Sequence, residues 1–352
     1  MRAIVAWPKR KDSAKLIEID PPKPAVNELL LKIEQLGIDG TDKEINEGLY
    51  GEAPDGSDYL ILGHEALARI ETKGSEVSEL APGQLVVPTV RRPGNCPNCR
   101  GGESDMCLDG RYKEHGIRQL HGFASNYAVT DADFVVPIPP ELEDVAVLLE
   151  PLSVAEKALF QIKKIQERLI WSPKSTLVLG AGTLGLLVSI LFRMKGFDVT
   201  TVARRPSDSP KARILSSVGS KYINSSENSL DSFDENYDII VEATGNANVA
   251  MQSSGLLNTN GVLCLLGVYR NQVVSEDAGN LFRNFVLGNK LVFGSVNANK
   301  KYFELGLSDM AEIKMRFPGV LQRLITSRLS PEEYLKVFHP DSEEIKSVIQ
   351  FN

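Results

Sequence analysis

The chain has 352 residues, of which 42% are apolar and 24% charged, with a net charge of -7. That length makes two domains the expectation. The acidic balance disfavours a general nucleic-acid binder, and no apolar run reaches the roughly 20 residues that span a bilayer.

The first predicted strand lies in Met1-Arg-Ala-Ile-Val-Ala-Trp-Pro8. Its apolar part is too short for a signal peptide, so the cytoplasm is the default expectation. Further strands are predicted at Glu28–Ile33, Ala66–Ile70, Gln84–Pro88 and Phe134–Ile138. Glycine and proline separate these runs, which suggests a small barrel-like domain rather than βαβ units. Residues 141–168 read as helical, with a break expected at Pro151. Strand–helix alternation then begins. Its strands are Leu177–Leu179, Val199–Val202, Asp238–Ala243, Gly261–Gly267 and Lys290–Val296. Apolar strands spaced by helices predict a parallel sheet covered on both faces. Residues 297–352 are mixed and are expected to return to the first domain. The expected boundaries are therefore 1–148, 149–289, and 290–352 for the last sheet strand and the return.

Gly180-Ala-Gly-Thr-Leu-Gly185 follows the first of these strands and opens onto a helix. Gly180, Gly182 and Gly185 satisfy GxGxxG in the setting it needs, with Thr183 and Leu184 inside the turn and the predicted helix at Leu186–Phe192. Such a turn lets backbone approach a pyrophosphate, and the helix N-terminus offers unpaired N–H groups to it. A dinucleotide site that prefers NAD usually closes its second strand with an acid for the ribose 2′-hydroxyl. Here Ala203 closes it and Arg204 and Arg205 follow. Two guanidinium groups suit a 2′-phosphate, so NADP is the expected cofactor, with NAD also accepted.

Three of the four cysteines, Cys96, Cys99 and Cys107, fall within twelve residues, and Cys264 lies in a predicted buried strand. This is a poor disulfide framework and points to metal or redox chemistry. Gly63-His-Glu65 follows an apolar run, Gly37-Ile-Asp-Gly-Thr-Asp42 precedes it, and Leu148-Leu-Glu-Pro151 comes later. Taken singly, His64 reads as a structural histidine, Glu65 as a surface or paired acid and Asp39 as a turn residue. Together with the cofactor turn they make a specific pattern.

That pattern resembles the zinc-dependent medium-chain dehydrogenases, and among them the archaeal glucose 1-dehydrogenases, over nearly the whole chain. The resemblance implies an α/β architecture, a GroES-like β-barrel catalytic domain with a Rossmann doubly wound sheet. It implies a catalytic zinc held by Asp39, His64 and Glu65 or Glu150. Oxygen-rich shells are less selective, so Mn or Mg are partial substitutes. Thr41 is implied as a proton relay, Glu65 and Glu150 as exchanging carboxylates, and Glu114, Glu150 and Asn297 as sugar contacts. Leu266, Gly267, Val268, Ser295, Val296 and Asn297 are implied on the nicotinamide side. The family's structural zinc uses CxxCxxCx7C. Cys96, Cys99 and Cys107 match its last three positions, but Pro93 occupies the first. Asp105, Asn95 or a water are candidates to complete that site. The implied reaction is oxidation of a cyclic aldose at C1 to its lactone, by a homodimer or homotetramer. Rival readings are a zinc alcohol or polyol dehydrogenase, a zinc-free reductase on the same scaffold, and a non-catalytic NADPH-binding protein.

Overall fold

The computed structural model describes residues 1–275, 277–339 and 341–351. The chain forms two compact units. One takes residues 1–153, 297–311 and 321–352, and the other takes 154–296 and 312–320.

The first unit is dominated by a seven-stranded sheet. The strand Glu28–Ile38 sits at its centre, paired antiparallel with Glu65–Lys73, Tyr127–Asp131 and Lys346–Gln350 from the end of the chain. Period-two alternation explains this strand: Leu29, Leu31 and Ile33 are buried while Lys32 is exposed. A register shift between Ile33 and Gln35 then returns Leu36 to the core. The same core takes Ile4, Val5, Leu60, Phe123, Ile349 and Phe351. A small separate sheet pairs Arg91–Arg92 with Lys113–His115, and sets Arg91 opposite Glu114.

The predicted break at Pro151 is absent. Short 3-10 turns at Pro140–Leu142 and Ala146–Leu148 precede an unbroken α-helix, Leu149–Gln166. Pro151 sits in the first turn of that helix, where a missing N–H has no intrahelical partner to lose.

The second unit is a six-stranded parallel sheet. Its strands run in the order Lys221–Asn224, Asp198–Ala203, Ser175–Leu179, Tyr237–Glu242, Leu257–Leu265, Leu291–Gly294. Numbered along the chain, that is 3-2-1-4-5-6, the doubly wound order whose switch point falls beside the first strand. Thr176 to Leu179 are all buried, as a strand covered on both faces requires. The helix Thr183–Met194 starts at once after the glycine turn, with Gly182 as its N-cap.

Candidate functional site

Within the first unit, Asp39 leaves the central strand and caps the helix Gly40–Asn46. Its Oδ1 accepts from the backbone N–H of Thr41 at 2.7 Å and of Asp42 at 3.2 Å. Asp42 returns the bond by accepting from the Asp39 N–H at 3.2 Å, completing a capping box. The other Asp42 oxygen accepts from the Gly63 N–H at 2.9 Å, which ties this helix start to the segment carrying His64. Asp39 Oδ2 is left facing His64 Nε2 at 3.6 Å and accepts from Thr41 Oγ1 at 3.1 Å.

Glu65 opens its strand directly opposite Gly37. A Cβ on Gly37 would stand 2.2 Å from Glu65 Oε2, so only glycine leaves room for that carboxylate. Asp39, His64 and Glu65 each present one donor atom, and the three lie within 4.8 Å of one another. Glu150, in the first turn of its helix, is buried beside them and falls outside that three-atom group.

The electrostatics of this cluster are severe. Burial opposes the charged form of His64, yet Asp39, with Glu150 and Asp42 beyond, holds its imidazole well above the ordinary range. Burial also works against charge on Asp39, but His64 and Lys346 keep that carboxyl below its usual range. Burial pushes Glu65 up and Glu150 up to about 8, with neighbouring carboxylates adding to both. Asp42 is raised to about 7, again chiefly by burial. His64 Nδ1 is sealed from solvent without a hydrogen-bond partner. Several carboxylates gathered on one imidazole and one lysine is the field a divalent cation would neutralise. One nitrogen and two oxygens is also a donor set that zinc accepts.

Two members of this cluster were not anticipated. Lys346, from the last strand, is fully buried, ion-paired with Glu65 Oε2, and donates to the Ile38 carbonyl at 3.1 Å. No local pattern marks it, because some 280 residues separate it from its partner. Asp42 was legible in principle, since Asp39-Gly-Thr-Asp42 has capping-box spacing.

Glu114 is built into a second polar knot of the same unit. Its Oε1 accepts from Arg91 Nε at 3.0 Å, Arg91 Nη2 at 2.9 Å and Asn297 Nδ2 at 2.8 Å. Asn297 adopts a left-handed conformation with φ 57, a region that asparagine tolerates.

In the cysteine lobe, the thiols of Cys96, Cys99 and Cys107 come within 4.8 Å of one another. Cys96 Sγ lies 3.9 Å from Cys107 Sγ and accepts backbone N–H bonds from Cys99 and Leu108, both at 3.4 Å. Asp105, a sequence candidate for the missing donor, lies outside this group, and its Oδ1 accepts from Asn299 Nδ2 at 2.8 Å. Three thiols fall one donor short of a closed structural zinc site.

In the second unit, Gly180 takes φ +107, and a Cβ on Gly185 would meet the Gly180 carbonyl oxygen at 2.1 Å. These are the glycines the turn requires. Gly180, Gly182, Arg204 and Arg205 line one cavity of about 450 Å³ with Ala203, Lys211, Ser225 and Thr244. Ala203 is the last residue of the second strand, so the two arginines follow it as expected. Leu266 and Gly267 come directly after the fifth strand, and Ser295 and Val296 directly after the sixth.

A unit of this antiparallel kind and a 3-2-1-4-5-6 sheet together are the architecture of the medium-chain dehydrogenases. Residues 25–140 match the alcohol dehydrogenase GroES-like domain, and residues 143–351 match the glucose dehydrogenase C-terminus. Glucose 1-dehydrogenase 1 of Caldivirga maquilingensis is 47% identical, covering 100% of this chain and 99% of its own length. Glucose 1-dehydrogenase of Thermoproteus tenax is 44% identical, covering 99% of each. Among solved structures, Haloferax mediterranei glucose dehydrogenase in complex with NADP, Zn and gluconolactone aligns with a TM-score of 0.92 at 34% identity. That alignment covers 100% of this chain and 99% of the other. The chain belongs to the glucose 1-dehydrogenase family.

Proposed function

We propose that this protein is an NAD(P)-dependent glucose (aldose) 1-dehydrogenase. It oxidises the C1 hydroxyl of a cyclic aldose to the lactone, with zinc as Lewis acid and hydride transfer to NADP; NAD serves as a second acceptor. The observation that carries this reading is the convergence of Asp39, His64 and Glu65 donors within 4.8 Å, in a chain whose full-length relatives are glucose 1-dehydrogenases.

Asp39, His64 and Glu65 would hold the zinc, with Glu150 exchanging with Glu65 during turnover. When bound, zinc supplies Lewis-acid stabilisation of negative charge on the C1 oxygen, and NADP supplies the hydride acceptor. The remaining work falls to the protein's own groups. Thr41 Oγ1 donates to Asp39, so its lone pairs can accept a hydrogen bond from the C1 hydroxyl; as a relay it would take that proton while giving up its own toward the cofactor ribose or solvent. Glu114 and Asn297, with Glu150, orient the sugar through its other hydroxyls. Gly180, Gly182, Thr183, Leu184 and Gly185 cradle the pyrophosphate, and Arg204 and Arg205 clamp the 2′-phosphate. Leu266, Gly267, Val268, Ser295, Val296 and Asn297 flank the nicotinamide. The three-thiol lobe takes no part in these steps.

A homodimer or homotetramer fits the open edge strand Leu291–Gly294, preceded by a helix with Phe282, Val286 and Leu287 exposed. A cytoplasmic location fits four cysteines that all carry free thiols. Among the described residues no helix is long and apolar enough to cross a membrane.

An aldose panel assayed with NADP and NAD, before and after chelation, tests the proposal. Glucose or a close aldose should be oxidised, the chelator should abolish turnover and zinc should restore it. Tight NADPH binding with no turnover of any aldose would refute the assignment.

A further inference from the structure

We propose that Arg91 is a positioning residue for substrate recognition: it fixes Glu114 so that one carboxylate oxygen stays reserved for a sugar hydroxyl. This rests on the reading above that Glu114 contacts the aldose.

The case begins with how the Glu114 carboxylate is divided. All three of its donors, two from Arg91 and one from Asn297, converge on Oε1. Three donors more than fill the lone pairs of one oxygen. Oε2 accepts no hydrogen bond from the described residues. Nor is it among the polar atoms sealed away from solvent without a partner. Glu114 is nonetheless only 4% exposed. A buried carboxylate with one saturated oxygen and one unpartnered oxygen open to space is arranged to accept from a ligand. A cyclic sugar offers the hydroxyl donors that would satisfy it.

Arg91 sets that division. Cross-strand register places it directly opposite Glu114, and it is itself 5% exposed. Its guanidinium is held on two further sides. Nη1 donates to the Ser104 carbonyl at 3.4 Å, and the plane lies over the Tyr112 ring at 3.7 Å to the centroid. A guanidinium delivers two fixed N–H groups to one acceptor while stacking on a ring. A lysine ammonium at the same site keeps the charge and loses both the fork and the stack. Substituting lysine therefore separates geometry from charge.

The test compares the zinc-loaded wild type with Arg91→Lys, Arg91→Met and Glu114→Gln on glucose and on a set of monodeoxyglucoses. The quantity read is the ratio of kcat/KM for glucose to that for the most penalised deoxy sugar. Wild type should show a large ratio, because a missing hydroxyl leaves Oε2 unpaired. Arg91→Lys should raise KM for glucose roughly tenfold, leave kcat within about twofold and shrink the ratio. Arg91→Met should shrink it further. Equal zinc content and an unchanged KM for NADP mark the variants as folded, and a general structural loss would lower kcat on every sugar without changing the ratio. If Glu114→Gln collapses the ratio while both Arg91 variants keep it at the wild-type value, the positioning role is overturned. If Glu114→Gln itself leaves the ratio unchanged, the sugar contact fails, and with it the premise.

Discussion

The two units build their functional surfaces in opposite ways. The proposed cofactor groove of the second unit takes its glycine turn and both arginines from one stretch of chain, residues 175–205, and would work through backbone, three glycines and exposed arginines. The proposed metal site of the first unit gathers Asp39, His64, Glu65, Glu150 and Lys346 from four separated segments, all buried except the half-buried Asp39. The groove should lose affinity rather than collapse when a side chain is removed, because its anchor is main chain. The cluster should suffer more, because each buried charge is compensated by the others and removal of one leaves the rest unpaired.

That contrast predicts a ranking of substitution effects. His64→Ala removes the only imidazole of the cluster and should lower kcat/KM by about a thousandfold or more. Metal analysis should show the catalytic zinc lost with it. Near-normal activity would mean that His64 is structural. Gly37→Ala is next, since its Cβ would displace the Glu65 carboxylate by more than an ångström. A loss of roughly a hundredfold in kcat is expected with the fold retained by circular dichroism. In the groove, Arg204→Ala should raise KM for NADP by roughly ten- to a hundredfold and leave KM for NAD unchanged. An unaltered cofactor ratio would contradict the phosphate clamp. Should the arginine variant prove more damaging to kcat than the glycine one, the contrast between the units would fall.

The least effect on activity is expected at a histidine outside the proposed chemistry, whose contribution is to stability. Burial, with Arg92 nearby, pushes His115 down to about 3, although the His121 carbonyl accepts from its Nδ1 at 2.7 Å. An unfolded histidine titrates near 6.5. Between about pH 6.5 and pH 3 the unfolded chain therefore binds a proton that the folded chain refuses. Stability rises with pH across that window, by at most about 1.4 kcal/mol per pH unit from this group. His115→Asn keeps a donor for the carbonyl and removes the titration. Urea unfolding between pH 4 and 7 should show a shallower acid loss for the variant. An unchanged slope would mean that His115 is protonated in the folded state.

How much was legible in the sequence follows the same division. The glycine turn, the strand ending at Ala203 and the paired arginines could be read directly, because contiguous residues carry both the pattern and its physical reason. The first-unit cluster was named only through family resemblance, since nothing in spacing says that the strand ending just after Gly37 pairs with the strand that Glu65 opens. Lys346 escaped altogether: its meaning lies in antiparallel pairing of the last strand with Glu28–Ile38, a non-local fact. Arg91 was passed over for a similar reason. Arg91 and Arg92 are adjacent, but strand alternation sends the first to Glu114 and the second toward Thr89 and Thr130. Pro151 was misread as a break because a proline alone does not reveal whether a helix ends or begins at that turn.

The most direct test is a crystal of the zinc-loaded protein with anomalous diffraction recorded on either side of the zinc absorption edge. The account predicts a peak within bonding distance of an Asp39 oxygen and a His64 nitrogen, with Glu65 or Glu150 beside it. A peak confined to the three thiols, with Asp39 and His64 in direct contact and no ion between them, would contradict it.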